Sequence, residues 1–117
     1  EVRNELTGEI KRHIRLRDFE IPMSGGLMMT GYQEELNLYY EVGKEIVCYD
    51  TPEELLEKCR YYLKHDSAAE AIRQAGYQRA RRDHTWANRF QQLFDHMGLS
   101  VNMTHARLSN AQENSEQ

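Results

Sequence analysis

Pro22 restricts this chain more than any other residue. Proline has no amide hydrogen and a helix leaves only its first four N–H groups unpaired, so a helix holding Pro22 has to begin within about four residues upstream. The spacing predicts a start at Asp18, a favoured N-cap, and puts Glu20 in the first turn, where the positive end of the helix dipole favours anions. Gly25 and Gly26 then stop the helix, and Leu27, Met28 and Met29 read as a short strand buried on both faces. The segment from Arg17 to Thr30 is therefore helix, glycine turn and buried strand, with a carboxylate placed beside unpaired amides. Such a carboxylate can accept hydrogen bonds from a diol.

The elements on either side extend this pattern. Over residues 1–14 no element is assigned: Val2, Leu6, Ile10 and Ile14 recur every four residues, which permits a helical stripe, while Thr7 and Gly8 weaken it. Lys11, Arg12, Arg15 and Arg17 form a basic run ahead of Glu20, readable as a phosphate contact or as a solvated patch. Gln33 to Tyr40 forms a short helix or turn with Leu36, Leu38, Tyr39 and Tyr40 as apolar contacts, and Glu45 to Tyr49 is a second buried strand. Thr51, Pro52 and Glu54 combine an N-cap, a first-turn proline and a capping glutamate. The helix they open has Leu55, Leu56, Cys59, Tyr62 and Leu63 on the face turned to the sheet.

Ser67 to Glu70 reads as a second capping box, opening a helix that buries Ala71, Ile72, Ala75 and Gly76. Gly76 costs about 1 kcal/mol relative to alanine inside a helix, and a close approach by another element is the expected compensation. After a break near His84, Thr85 caps a third helix whose stripe of Trp86, Phe90, Leu93, Phe94 and Met97 reads as core, with Gly98 past its end. Polar residues dominate from there, and residues 99–117 are expected to be a mobile tail.

Composition limits the function. The chain has 117 residues and a net charge of −4, enough for about one small domain and, being acidic, a poor match to a nucleic-acid binder. Cys48 and Cys59 are too few for a disulfide framework and lack metal-ligand spacing; they are expected in the core, in a reducing compartment. No apolar run nears the roughly twenty residues of a membrane span, so a cytoplasmic location is expected. The charged start without Met suggests a piece of a longer protein.

One family carries these pieces in this order: Arg17-Asp18-Phe19-Glu20-Ile21-Pro22-Met23-Ser24-Gly25-Gly26, then Gly43 to Tyr49, Thr51 to Leu56, Ala75-Gly76-Tyr77, and His84-Thr85. Over residues 15–98 the chain resembles the C-terminal part of the spore-maturation CgeB-like glycosyltransferases, within the group 1 enzymes of the GT-B fold. The resemblance implies an α/β fold, a partial Rossmann-like half of a GT-B enzyme with few parallel strands and a helix-rich C-terminal part. It implies a nucleotide-diphosphate sugar as donor substrate, with Glu20 accepting from the ribose hydroxyls, Arg17 contacting the diphosphate, and Gly25 and Gly26 keeping the strand end clear. The acceptor domain would belong to the missing N-terminal part of the parent chain, so the fragment is expected to be inactive alone. Group 1 enzymes often carry another glutamate eight residues before this one; here that position is Arg12.

In such a transferase, cations and helix amides would hold the diphosphate as negative charge builds on it, with neither cofactor nor metal site expected. The catalytic residue is not assigned. His13, His65, His84, His96 and His105 are scattered and read as surface or capping residues. One alternative is a non-catalytic α/β interaction module, with self-association through an uncovered sheet edge. Nucleic-acid binding through Arg79, Arg81, Arg82, Arg89 and Trp86 is disfavoured because helical spacing spreads those charges.

Overall fold

The computed structural model describes residues 2–3, 5–8, 10–11 and 13–99. They fall into two compact units, dividing between Thr85 and Trp86. The first unit is mixed α/β. A hairpin of β1 (Val2–Arg3) and β2 (Ile10–Lys11) pairs antiparallel, with Val2 opposite Lys11, in place of the helical stripe that the four-residue spacing permitted. Leu6 is exposed in the connection, whereas Ile14 packs against the core.

The helix α1 (Arg17–Met23) begins one residue earlier than expected and is capped differently. Leu16 stands at the N-cap with no side-chain bond, and Asp18 lies inside the first turn at 3% exposure. Its carboxylate turns back to accept the Arg15 amide at 2.8 Å, while the Asp18 amide donates to the Arg15 carbonyl at 3.0 Å. Asp18 thus ties the residue before the N-cap to the first turn rather than acting as the cap itself. Pro22 falls deeper in the helix than the unpaired first turn, but the helix ends one residue later and the ring is fully buried.

Gly25 and Gly26 end α1 as expected. Gly25 has φ +82°, its amide donates to the Pro22 carbonyl at 2.9 Å, and the Gly26 amide reaches back to Ile21 at 3.0 Å. That is a Schellman end, and a side chain on Gly26 would press on Ile21 at 3.1 Å. The strand after it is β3 (Met29–Gly31), two residues later than the apolar run; Met28 is buried, and its carbonyl accepts the Val47 amide at 2.9 Å.

β3 pairs parallel with β4 (Val47–Tyr49), Met29 opposite Val47 and Gly31 opposite Tyr49. Between them runs a 3₁₀ turn, Glu34–Leu38, which buries Leu36 but leaves Leu38 exposed. Met28, Leu36, Tyr40, Ile46 and Cys48 form the core, with Phe19, Tyr32 and Val42 packed against it.

The helix α2 (Pro52–Lys64) starts as the sequence indicates: Thr51 Oγ1 accepts the Glu54 amide at 3.2 Å and Glu54 Oε2 accepts the Asp50 amide at 2.8 Å. Leu55, Cys59 and Tyr62 are half-buried, and Cys59 Sγ meets Met29 Sδ at 3.6 Å. Leu56 and Leu63 are not on the buried face; Leu63 is 86% exposed, because the short sheet covers only one side of the helix. Lys58 fastens α2 to the sheet by donating to the Cys48 carbonyl, and pairs within the helix with Glu54 at 2.6 Å.

The helix α3 (Asp66–Asp83) begins before Ser67, which makes no cap, and Glu70 instead pairs with Arg73 at 2.7 Å. Its buried face is Ala69, Ile72, Gly76 and Ala80 rather than Ala71 and Ala75, and it packs on α1. In the second unit, α4 (Trp86–His96) carries the apolar stripe, but Trp86, Phe90, Leu93 and Met97 remain exposed among the described residues. The stripe stacks along itself, Phe90 on Phe94 with centroids 6.2 Å apart. The tail expected over residues 99–117 lies, beyond Leu99, outside the described residues.

Candidate functional site

Parallel strands point all their C-terminal ends to one side, and ligands of α/β sheets bind there. A cleft of about 450 Å³ opens at that place. Its floor is Thr30 and Gly31 at the end of β3 and Tyr49 at the end of β4; Asp50, Thr51 and Pro52, leading into α2, form one wall. His13 and Arg15 come in from the segment before α1, with Gln33 beyond β3 and Leu55 one turn into α2.

The lining has two chemical sides. His13 and Arg15 supply an imidazole and a permanent cation, suited to phosphate. Asp50, Thr30, Thr51, Gln33 and Tyr49 supply a carboxylate, hydroxyls and an amide, suited to sugar hydroxyls. The start of α2, a helix of 13 residues, adds the positive end of its dipole.

Arg15 is held in place by a buried group. Asp18 Oδ1 lies 3.7 Å from the Arg15 guanidinium, whose side chain is 59% exposed at the rim. Behind this contact, Phe19 packs edge-on against Tyr39 at 5.3 Å and His84 at 5.2 Å. His84 caps the C-terminal end of α3, the capping alternative of the sequence reading, and does so from a buried position with one ring nitrogen 2.7 Å from the Tyr39 carbonyl. The end of α3 thereby braces the first turn of α1.

Glu20 and Arg17 are exposed on α1 and do not line this cleft, while Gly25 and Gly26 make the helix end described above. Two of the site's residues were visible in the sequence only as scattered members of other groups: Arg15 belonged to a basic run, and His13 to a set of unrelated histidines. Their convergence depends on where the hairpin delivers the chain. The Arg79 to Arg82 run is tied up locally: Arg79 meets Asp83 at 2.9 Å and Glu45 at 3.8 Å, and Arg82 meets Asp83 at 2.8 Å.

Burial pushes the Cys48 thiol up to about 11, against the opposing pull of Lys58. Among the described residues, no helix is long and apolar enough to cross a membrane.

Residues 5–95 match the model of a family described as glycosyl transferase-like. The chain belongs to the glycosyl transferase-like family. Searches of curated proteins and of solved structures returned no match. The region shared with the glycosyl transferase-like family takes in the hairpin turn, the cleft, α1 with Asp18 and Glu20, and nearly all of α4. Membership agrees with the mixed α/β architecture and with sugar transfer as the chemistry of the group.

Proposed function

We propose that this chain is the donor-binding part of a glycosyltransferase and holds a nucleoside-diphosphate sugar at the C-terminal ends of β3 and β4. Within the wider family, the ordered motifs favour the CgeB-like group and a Rossmann-like half of a GT-B enzyme. One observation carries the reading: a single cleft brings His13 and Arg15 together with Asp50 and the Thr30 and Thr51 hydroxyls. A ligand that satisfies both sides carries phosphate and a polyol at once.

In this role the residues bind and orient. Breaking the bond between sugar and diphosphate builds negative charge on the leaving phosphate, and a fixed cation at the rim lowers the energy of that state. Asp50 accepts hydrogen bonds from sugar hydroxyls. Glu20 and Arg17, exposed on α1 outside the cleft, are assigned to parts of the donor that reach beyond it, Glu20 to the ribose and Arg17 to the outer diphosphate oxygens. Gly25 and Gly26 act indirectly, by ending α1 in the tight turn that leads from the helix carrying Glu20 and Arg17 toward β3. The acceptor and its binding domain are supplied by other parts of the parent protein.

Calorimetric titration with uridine, guanosine and thymidine diphosphates tests the assignment. Binding of one of them, weakened by Asp50→Ala or Glu20→Ala without loss of fold, is the expected result. Affinity for none of the three would remove the donor-binding assignment.

A further inference from the structure

The geometry points to Arg15 as the residue that grips the ligand's diphosphate, and to Asp18 as the positioning residue that sets it there. This inference rests on the donor-binding reading and moves the principal phosphate contact from Arg17 to Arg15. Arg17 is exposed on α1 outside the cleft, whereas Arg15 lines it.

Asp18 is buried. A carboxylate at 3% exposure needs partners, and both of its described partners belong to Arg15: the main-chain amide at 2.8 Å and the guanidinium at 3.7 Å. The Asp18 amide returns a bond to the Arg15 carbonyl at 3.0 Å, so the backbone of Arg15 is clamped from both ends. The clamp leaves the arginine side chain more than half exposed at the cleft rim. The 3.7 Å separation is loose for a charge-assisted hydrogen bond, so the guanidinium keeps donors available for a second anion.

The rest of the cleft agrees with this placement. Arg15 shares it with the His13 imidazole, a second nitrogen group suited to phosphate oxygens. Asp50 lies in the same cleft and would repel a bare anion, so the diphosphate belongs on the Arg15 side and hydroxyls on the Asp50 side.

The test is titration of the full chain with inorganic pyrophosphate and, separately, with the three nucleoside diphosphates, using Arg15→Gln, Asp18→Asn and the double variant. Arg15→Gln is expected to weaken pyrophosphate binding about tenfold or more, the loss of one charge-assisted contact. Asp18→Asn is expected to weaken it severalfold when Arg15 is present and not at all on the Arg15→Gln background. A purely structural Asp18 would lower affinity by the same factor in both backgrounds, and that result overturns the positioning role. Should Asp18→Asn fail to fold by circular dichroism, Arg15→Lys takes its place: it keeps the charge but loses the fork, and is expected to retain only part of the affinity. Wild-type affinity in Arg15→Gln, or no pyrophosphate binding by the wild type, overturns the assignment. Nucleoside diphosphates that bind regardless of Arg15 leave the donor-binding reading standing without this inference. Pyrophosphate bound through Arg15, with no gain from any nucleoside, leaves the inference standing without the reading.

Discussion

Gly76 in α3 lies directly against the main-chain carbonyl of Glu45, so close that a Cβ at this position would collide with the carbonyl oxygen. The same Cβ would lie 3.6 Å from Pro22, so one glycine lets α3 seat on both the entry to β4 and the end of α1. A carbonyl fixed in the backbone cannot move aside as a side-chain tip can. Gly76→Ala is therefore expected to destabilise the protein by about 1–3 kcal/mol, although alanine gains about 1 kcal/mol of intrinsic helix propensity. Urea denaturation measures this directly; an alanine variant as stable as the parent would contradict the close contact.

The start of α2 makes stability depend on acid. The Glu54 carboxyl is held below its ordinary value of 4.5, chiefly by the hydrogen bond from Lys58 and next by the Asp50 amide. Glu70 is lowered in the same way by Gln74 and Arg73, and Asp83 by Arg82. A carboxyl lowered on folding adds stability that is fully present above its unfolded pKa and is lost as the pH falls through its folded pKa. Melting temperature is thus expected to hold steady from pH 7 to about pH 5 and to fall below about pH 4.5. Glu54→Gln should lower it at pH 7 and flatten part of the acid decline, as thermal melts across that range would show.

The two thiols should behave differently. With Cys48 buried and its pKa raised to about 11, only about one molecule in a thousand carries the thiolate at pH 8. Cys59 is partly accessible beside Met29. A chromogenic disulfide reagent is expected to titrate one thiol per native chain promptly, and the second only on unfolding. Prompt reaction of both would contradict the packing of β4 under α2.

How much of this was legible in the sequence follows from how local each signal is. Thr51, Pro52 and Glu54 satisfy their helix end within four residues, and the glycine pair after Pro22 closes α1 by bonds to Ile21 and Pro22. The glycine cost at position 76 pointed to a close neighbour but could not name Glu45, which lies in another element. Asp18 looked like a cap because its type suits one; its actual partner is the residue three before it, and burial by the core decides that choice. The stripe of α4 and the outer leucines of α2 show apolar spacing without burial, since periodicity reveals a face but not what covers it. Arg15 and His13 were hardest to see, because a cleft at strand ends is assembled from segments far apart in sequence.

The central claim is that the cleft at the ends of β3 and β4 holds a nucleoside diphosphate. The most direct measurement is nuclear magnetic resonance of the labelled chain during titration with uridine, guanosine and thymidine diphosphates. The account predicts saturable shifts at Thr30, Gly31, Tyr49, Asp50 and Thr51 for one of them, with the outer face of α2 around Leu63 unmoved. Saturable shifts confined to other surfaces, or none for any nucleotide, would contradict it.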